Sequence, residues 1–527
     1  MIHTLRSTRG MVVAPHHLAA QAGNDVLRDG GTAVEAMVAA AAAIAAVYPH
    51  MNAIGGDGFW LIAEPGQAPI GIDACGGAAR AASREFYAER GCEAIPARGP
   101  LAALTVPGTV AGWGAALGSL DRPRLPLRRL LEPAVWYARN GVAVTDSQAA
   151  LTGAKGPQMD GVTGFAETFC PAGRPPRSGE LLTNPALADT LERLAVAGPD
   201  DFYRGQLAAA LAEDLAAAGS PLSAADLAAY RPLRVAPLGL SLAGGRVYNM
   251  PPPTQGLASL LILGLFQRLG VTEAEGFEYL HGLVECTKRA FRVRDAHVTD
   301  PRWMDTDPAA FLHPGWLDAT AAEIPRHQAT PWPHPAAPGD TVWMGAVDHE
   351  GRAVSFIQSI YWEFGSGLVL PATGVLMQNR GMSFSLDPGQ RQALEPGRRP
   401  FHTLNPALAR LADGRSLVYG TMGGEGQPQT QAAVFTRHVL FGQPLQQAVT
   451  APRWLLGRTW GEDTTSLKLE EGIPEPVIEQ LIAAGHQVER VPAFSDMMGH
   501  AGAIARHPDG LLEGAADPRS DGIVAAH

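Results

Sequence analysis

A threonine at the start of an apolar run is the residue with the most specific chemistry in this sequence. Thr341 follows Asp340 and precedes the apolar run from Val342 to Val347. If the Asp340–Thr341 peptide bond is cut, the Thr341 hydroxyl becomes a nucleophile beside its own α-amine, a base with a reference pKa of about 7.7–8.0. A β-branched residue that simply begins a strand fits the same pattern. The local sequence leaves both interpretations open.

The segments on either side of Thr341 indicate how it is held. A second apolar run, Ala353 to Ile360, follows the polar turn 348–351, which predicts a β-hairpin of two buried strands. Upstream, residues 324–340 contain five prolines and two histidines, which is typical of a flexible, exposed linker. Such a linker could release Thr341 after cleavage, or it could be an ordinary connector between domains.

Two glycine-rich loops are candidates for binding an anion. Gly423 and Gly424 follow an apolar strand and precede a predicted helix, so their N–H groups could face a phosphate or the oxyanion of an acyl-transfer intermediate. No lysine follows them, which excludes a P-loop. The earlier loop 55–58 lacks the spacing and the helix of a phosphate cradle, so we interpret its glycines as points of close backbone approach.

The cysteines and histidines predict no metal site. Neither a disulfide framework nor a zinc site is expected from the four widely separated cysteines, Cys75, Cys92, Cys170 and Cys286. On the predicted helix 277–294, His281 and Cys286 are five residues apart and do not share a face as zinc ligands would. Cys75 is predicted to be a small buried side chain, because no base is evident near it.

The composition excludes several classes of protein. With a net charge of −11 and no basic run, the 527-residue chain is not expected to bind nucleic acid or an anionic membrane. Hydrophobic residues make up 46% and charged residues 18%, which indicates a globular protein with a large core. The polar N-terminus lacks a secretory signal, and the longest apolar run, residues 36–48, is too short to span a bilayer. We therefore expect a cytoplasmic protein in reducing surroundings.

Ordered motifs over nearly the whole chain resemble the γ-glutamyltransferase family of N-terminal-nucleophile hydrolases. These motifs are Arg9-Gly10-Met11-Val12, Gly30-Gly31, Gly55-Gly56-x-Gly58-Phe59, residues 106–112, Met250-Pro251-Pro252-Pro253, residues 400–406, Gly423-Gly424 and Asp517-Pro518-Arg519. The resemblance implies an α+β fold, a four-layer αββα sandwich. It also implies a precursor that cuts itself before Thr341, so that residues 1–340 and 341–527 become the large and small subunits of one intertwined body. The sequence allows a homo-oligomer of these heterodimers but does not define one.

The resemblance also assigns catalytic roles. Thr341 corresponds to the family's nucleophile, and Ser359 to the residue whose hydroxyl hydrogen-bonds that nucleophile. Gly423 and Gly424 correspond to the oxyanion-hole glycines, and losing one such donor typically costs ~3 kcal/mol of transition-state stabilisation. The family's reaction requires neither a metal ion nor an organic cofactor.

The positions that recognise a γ-glutamyl group in the family are changed in this chain. Cys75 stands where the family has an arginine for the substrate's α-carboxylate, and Arg380 and Ser383 stand where acidic and amide groups hold its amine. Tyr361 replaces an asparagine, and the pair His402-Thr403 replaces two serines. Arg380 would repel an ammonium group and pair bidentately with a carboxylate, although a structural ion pair is the alternative role. The histidine is either a pocket donor or an ordinary loop residue.

Taken together, these departures look most like the oxamate amidohydrolase branch of the family. Oxamate is a small amide with its carboxylate next to the scissile carbonyl and no amine to recognise. The resemblance thus implies a self-processing amidohydrolase that converts oxamate to oxalate and ammonia through a threonine acyl-enzyme, with purine degradation as the setting. Three alternatives are an acylase for a glutaryl side chain, a γ-glutamyl hydrolase or transferase, and a ligand-binding relative that is neither processed nor catalytic.

Overall fold

Two seven-stranded antiparallel sheets form the centre of the protein. The computed structural model describes residues 3–121, 123–332, 340–457 and 465–527. The strands before Thr341 are β1 (Leu5–Ser7), β2 (Gly10–Ala14), β3 (Asp57–Ala63), β4 (Ile70–Ala74), β5 (Val142–Ala143), β6 (Leu181–Leu182), β7 (Leu233–Val235), β8 (Leu238–Leu242) and β9 (Gly245–Asn249). The later strands are β10 (Asp340–Asp348), β11 (Ala353–Tyr361), β12 (Val369–Leu370), β13 (Val375–Leu376), β14 (Ala407–Leu411), β15 (Ser416–Gly420), β16 (Trp454–Leu456), β17 (Leu467–Glu470), β18 (Val488–Val491), β19 (Gly502–Arg506), β20 (Leu512–Ala516) and β21 (Ile523–Ala526).

The strand order brings distant parts of the chain side by side. Sheet A has the order β1-β20-β19-β15-β14-β9-β8, and sheet B has the order β21-β2-β10-β11-β3-β4-β7. In sheet B, the predicted hairpin β10–β11 lies at the centre, with β2 against β10 and β3 against β11. The hairpin prediction is therefore confirmed, and its strands are buried by their neighbours on both sides.

Helices cover the outer faces of both sheets. In chain order they are α1 (His17–Arg28), α2 (Ala33–Val47), α3 (Arg84–Ala88), α4 (Thr109–Leu117), α5 (Leu127–Asn140), α6 (Asp146–Lys155), α7 (Phe165–Phe169), α8 (Pro185–Ala197), α9 (Asp201–Arg204), α10 (Gln206–Ala218), α11 (Ala224–Ala229), α12 (Gly256–Leu269), α13 (Phe277–His297), α14 (Pro314–Ala322), α15 (Gly426–Phe435), α16 (Leu445–Thr450) and α17 (Glu475–Ala483). No helix within the described ranges is both long and apolar enough to cross a membrane.

Three layers of apolar side chains hold four layers of secondary structure together. Alanine-rich helix α2, which is buried along its whole length, packs on sheet B, and α12 and α13 pack on sheet A. Between the sheets lie side chains such as Phe59, Trp343, Leu408 and Ile504. This is the α+β, four-layer αββα sandwich that the resemblance implied, so the fold prediction is confirmed.

The alternation of side chains along β10 explains how one strand contributes side chains to two hydrophobic cores. Val342, Met344 and Ala346 face helix α2, whereas Trp343 and Val347 face sheet A. Successive side chains of a strand point to opposite faces, so a strand covered on both faces is apolar throughout. By the same rule, Thr341 lies on the face that points between the sheets.

The segment before β10 differs in part from the expected free linker. The Ala329 N–H donates to the Ala484 carbonyl at 2.7 Å, and the Lys288 ammonium donates to the Thr330 carbonyl at 2.7 Å. Ile324 is buried as well. Residues 324–332 are thus held against the body by backbone hydrogen bonds that proline content does not reveal, while residues 333–339 of the predicted linker lie outside the described residues.

Candidate active site

Thr341 lies at an irregularity in the central hairpin. Asp340 pairs with Tyr361 and Val342 pairs with Gln358, so β11 carries one extra residue opposite Thr341. Such β-bulges re-aim side chains and are frequent beside active sites. Here the bulge sets Thr341 at the end of the regular ladder, next to the Asp340–Thr341 peptide bond.

Two polar side chains contact the Thr341 hydroxyl, which is fully buried. It donates to Ser359 Oγ at 3.4 Å, and the Gln427 side-chain amide donates to Thr341 Oγ1 at 3.4 Å. Ser359 Oγ also accepts the Tyr361 N–H at 2.8 Å. The expected contact between Thr341 and Ser359 is present, and Gln427 adds a second contact that orients the hydroxyl.

A glycine turn at the end of β15 faces this region from sheet A. Gly423 and Gly424 have φ angles of +113° and +52°, which side chains with a Cβ rarely adopt. The turn leads into α15, and the Gly426 N–H donates to the Gly423 carbonyl at 2.8 Å. A strand-to-helix turn of this kind can present backbone N–H groups to an anion, as an oxyanion site requires.

Buried side chains brace the glycine turn. The Gln255 side-chain amide donates to the carbonyls of Gly424 and Thr403, each at 2.7 Å. Arg294 fixes Gln255 by donating to its side-chain oxygen at 3.0 Å, and it also donates to Glu425 at 3.0 Å. These partners lie far apart in the sequence, so local sequence patterns gave no signal for them.

Gln427 links the same turn to Thr341. Its side-chain oxygen accepts the Asn405 N–H at 3.2 Å, which directs the amide nitrogen towards Thr341. No contact with Thr341 was predicted for Gln427 from the sequence. Its position in the first turn after the glycines was the available signal, because side chains there point back over the preceding loop.

Arg380 is buried without the partners that a buried arginine usually has. Its guanidinium carbon lies 3.9 Å from the centre of the Tyr361 ring, and Nη1 lies 3.5 Å from Thr403 Oγ1. Its Nε and Nη2 atoms have no hydrogen-bond partner among the described residues. These two atoms form one edge of the guanidinium, the edge that pairs bidentately with a carboxylate. Burial lowers the pKa of Arg380 to about 10, so the side chain remains a cation at neutral pH.

Asp57 and His402 lie on the same side of the site. Asp57 pairs directly with Ser359 across β3 and β11, so the two side chains share the face between the sheets. The His402 Nε2 atom lies 3.3 Å from Asp57 Oδ2. Burial raises the pKa of Asp57 to about 7, although nearby Arg380 opposes this shift, and burial lowers the pKa of His402 well below its ordinary value.

The two remaining candidate residues have more ordinary surroundings. Cys75 is buried at the end of β4 in the core between the sheets, and burial raises the pKa of its thiol well above the ordinary value. That thiol is therefore protonated, in agreement with the expected buried role. The Ser383 hydroxyl donates to the Arg380 carbonyl at 3.0 Å, which stabilises the short 3-10 helix Arg380–Ser383.

A second polar cluster, away from Thr341, has the residue types of a metal site. His281, Glu285 and His486 bring their ligand atoms within 4.8 Å of one another. Sequence spacing paired His281 with Cys286 and did not reveal Glu285, which lies four residues from His281 on the same helix face. The Lys288 ammonium donates to Glu285 at 2.6 Å, and His281 lies 2.9 Å from His486. The Lys288 ammonium thus already supplies a positive charge to Glu285. We therefore interpret the cluster as a structural hydrogen-bond network.

Comparison with known proteins defines the family. The sequence model described as Gamma-glutamyltranspeptidase matches residues 19–527. The chain belongs to the gamma-glutamyltranspeptidase family. The family resemblance proposed from the ordered motifs is therefore confirmed.

Relatives match the chain from end to end. The oxamate amidohydrolase proenzyme of Klebsiella pneumoniae subsp. pneumoniae is 56% identical over 99% of both chains. The glutathione hydrolase-like YwrD proenzyme of Bacillus subtilis is 41% identical over 98% of both chains. Among solved structures, a cephalosporin acylase from Bacillus halodurans is 34% identical, with a TM-score of 0.92 over 100% of this chain and 97% of the other.

Membership of this family fixes the reaction class. Gamma-glutamyltranspeptidase family members of this fold are N-terminal-nucleophile hydrolases, and the chain is accordingly an amide-hydrolysing enzyme. The expectation of an enzyme is confirmed. The ligand-binding alternative without catalysis is not supported by the relatives that match the whole chain.

Proposed function

We propose that the chain cuts itself between Asp340 and Thr341 and that Thr341 then hydrolyses a small amide that bears a carboxylate, with oxamate as the best-fitting substrate. The observation that carries the substrate class is the unpaired Nε and Nη2 edge of buried Arg380. A buried donor without a partner costs about 1–3 kcal/mol. A site that retains two such donors is suited to a ligand with two acceptor oxygens.

The short path from Arg380 to Thr341 favours a small substrate. Arg380 stacks on Tyr361, and Tyr361 pairs across the hairpin with Asp340, the residue before Thr341. A carboxylate on Arg380 would thus belong to a substrate whose scissile carbonyl is close by. Oxamate has its carboxylate directly bonded to the amide carbonyl, and the Klebsiella relative is named for this substrate.

The geometry supports a two-step reaction. The Thr341 hydroxyl attacks the amide carbonyl while its α-amine, freed by the cut, accepts the proton. Ser359 and Gln427 orient the attacking oxygen. The N–H groups of Gly423 and Gly424 stabilise the oxyanion. The C–N bond breaks, ammonia leaves with the transferred proton, and water hydrolyses the resulting ester to release the acid and regenerate the hydroxyl.

The proposed cut makes residues 1–340 the large subunit and residues 341–527 the small subunit. Proenzyme names among the relatives support such processing. We expect Thr341→Ala to remain one full-length chain without activity, because it lacks the hydroxyl. Thr320→Ala, on outer helix α14, is the matched control and should be cut like the native protein.

Gel electrophoresis and ammonia release test both steps. Purified native protein should give two bands with the sizes of residues 1–340 and 341–527, and it should release ammonia from oxamate faster than it hydrolyses a γ-glutamyl anilide or a glutaryl amide. Efficient processing of Thr341→Ala would place the nucleophile elsewhere. A clear preference for the anilide or the glutaryl amide would instead overturn the assignment of Arg380 to a small carboxylate substrate.

A further inference from the structure

We infer that Asp57 is an ionisable neighbour of Arg380 and that the pocket takes up one proton on Asp57 when a carboxylate substrate binds. This role rests on the proposed carboxylate substrate. It concerns a residue of the large segment to which neither the ordered motifs nor the relatives' names assign a function.

The two oxygens of the Asp57 carboxylate differ in their hydrogen bonding. Oδ1 accepts the N–H groups of Gly108 at 3.1 Å and Gly76 at 3.4 Å. Oδ2 is fully buried and has no well-aligned hydrogen bond within the described ranges, although the Gln378 side chain lies beside the carboxylate and His402 Nε2 lies 3.3 Å from Oδ2. Buried acceptors are normally paired, so the lack of a well-aligned bond at Oδ2 indicates that a proton or a ligand completes the site.

One positive charge lies beside this carboxylate. Arg380 opposes the effect of burial on Asp57, and the resulting pKa of about 7 lets Asp57 exist in either form near neutral pH. His402 carries no charge, because burial, Arg380 and Arg399 all lower its pKa. The pocket therefore holds one cation and a carboxyl group that can be ionised or neutral.

The other titratable groups near Asp57 are neutral. Burial raises the pKa values of Cys75, Tyr203 and Tyr230, each of which interacts electrostatically with Asp57. All three therefore keep their protons at neutral pH. Among charged groups in the described part of the chain, Arg380 has the largest effect on the pKa of Asp57.

A bound substrate carboxylate would change the net charge beside Arg380. A substrate carboxylate on Nε and Nη2 of Arg380 places two negative groups beside one cation, and a like charge disfavours the ionised form of Asp57. A proton from solvent then neutralises Asp57. The new O–H then lies beside the neutral His402 ring, whose Nε2 is 3.3 Å from Oδ2.

This coupling gives substrate binding a defined pH dependence. Above about pH 7, free Asp57 is ionised, so binding requires proton uptake and the affinity falls by up to tenfold per pH unit. Below about pH 7, free Asp57 is already protonated and the affinity becomes constant. The maximal rate does not carry this dependence, because Asp57 acts on binding and not on the reacting atoms.

Pyruvate binding tests this role without turnover. In pyruvate a methyl group replaces the amide nitrogen of oxamate, so it offers the same carboxylate and carbonyl but no leaving group. The inhibition constant of pyruvate is measured from pH 6 to 9 on the processed enzyme. Proton uptake is measured by calorimetry in two buffers of different ionisation enthalpy. We expect about one proton per pyruvate at pH 8.5, almost none at pH 6, and a constant that rises up to tenfold per unit above pH 7.

Asp57→Asn is the decisive variant. It keeps an oxygen for the Gly76 and Gly108 N–H groups and imitates the protonated acid, so pyruvate should bind with no proton uptake and a nearly constant affinity. The α-amine of Thr341 also titrates in this range, but it is unchanged in the variant. If Asp57→Asn fails to fold, Asp57→Ser gives the same comparison with a smaller neutral group.

The outcomes separate this role from the proposed function. Native protein that takes up no proton, or a neutral variant that retains the native uptake, would overturn the role of Asp57 even if oxamate is hydrolysed. Absence of pyruvate binding would also overturn it. Proton-coupled pyruvate binding without oxamate hydrolysis would support Asp57 while rejecting oxamate as the substrate.

Discussion

Replacing Arg380 with methionine should separate substrate binding from folding. In the free protein, the substitution removes a cation–π contact with Tyr361, worth about 0.5–2 kcal/mol. It also removes two buried donors without partners, each of which costs about 1–3 kcal/mol. Asp57 does not become an unpaired anion, because burial then protonates it. We therefore expect the free energy of unfolding to be unchanged or to rise by up to about 5 kcal/mol.

The effect of the same substitution on catalysis should be large. A carboxylate on Nε and Nη2 would make two charge-assisted hydrogen bonds, each worth about 1.5–3 kcal/mol. Their loss amounts to about 3–6 kcal/mol, and since 1.4 kcal/mol corresponds to a factor of ten, kcat/KM for oxamate should fall by roughly 10²–10⁴. Ammonia release gives the rate, and urea unfolding followed by tryptophan fluorescence gives the stability.

Arg398→Met is a matched control, because Arg398 is also buried and its Nε is also without a partner, but both of its terminal nitrogens, Nη1 and Nη2, donate hydrogen bonds. It donates to the Ala393 carbonyl at 2.8 Å, to Thr299 Oγ1 at 2.7 Å and to the Arg391 carbonyl at 2.6 Å. Its loss should cost several kcal/mol of stability, since three acceptors lose their donor. The reasoning about Arg380 is refuted if Arg380→Met is destabilised as strongly as Arg398→Met, or if its kcat/KM for oxamate stays within threefold of the native value.

Two further substitutions test other parts of the structure. Gln427→Leu removes the amide that donates to Thr341 Oγ1 at 3.4 Å, and since such a bond is worth about 0.5–1.5 kcal/mol, kcat should fall roughly 2- to 10-fold in steady-state ammonia release. An unchanged kcat would show that Gln427 does not position the hydroxyl. Burial lowers the pKa of His486 from 6.5 to about 3. The neutral His486 side chain therefore contributes to stability above pH 6.5. This contribution is lost as the pH falls towards 3, by up to ~1.4 kcal/mol per pH unit. His486→Gln should flatten the pH profile of urea unfolding between pH 6.5 and 4, and a profile as steep as the native one would contradict this.

The elements around Thr341 could be predicted because they are indicated by local sequence patterns or by the order of motifs along the chain. Apolar runs on either side of a polar turn predicted the hairpin that the structure shows as β10 and β11. The order of motifs over the chain identified the family and, with it, the layered fold. The contact between Thr341 and Ser359 also agrees with the expectation from that resemblance.

The parts of the site that escaped prediction depend on strand register and on distant contacts. Asp57 faces the site only because it pairs with Ser359, more than three hundred positions along the chain. Gln255 supports the glycine turn from the end of a proline-rich loop. Sequence spacing cannot show which of many buried polar residues converge, since one residue of register shift would turn Asp57 to the opposite face.

The strand order explains how the proposed cut can activate the protein without separating its two segments. In sheet B, β10 and β11 of the later segment lie between β2 and β3 of the earlier one, and β21 of the later segment pairs with β2. Separation would break these ladders and expose the core between the sheets. Cleavage before Thr341 therefore frees an α-amine at the end of a strand that stays paired on both sides. Because Asp57 comes from the earlier segment and Arg380 from the later one, the proposed substrate pocket exists only while the two remain together.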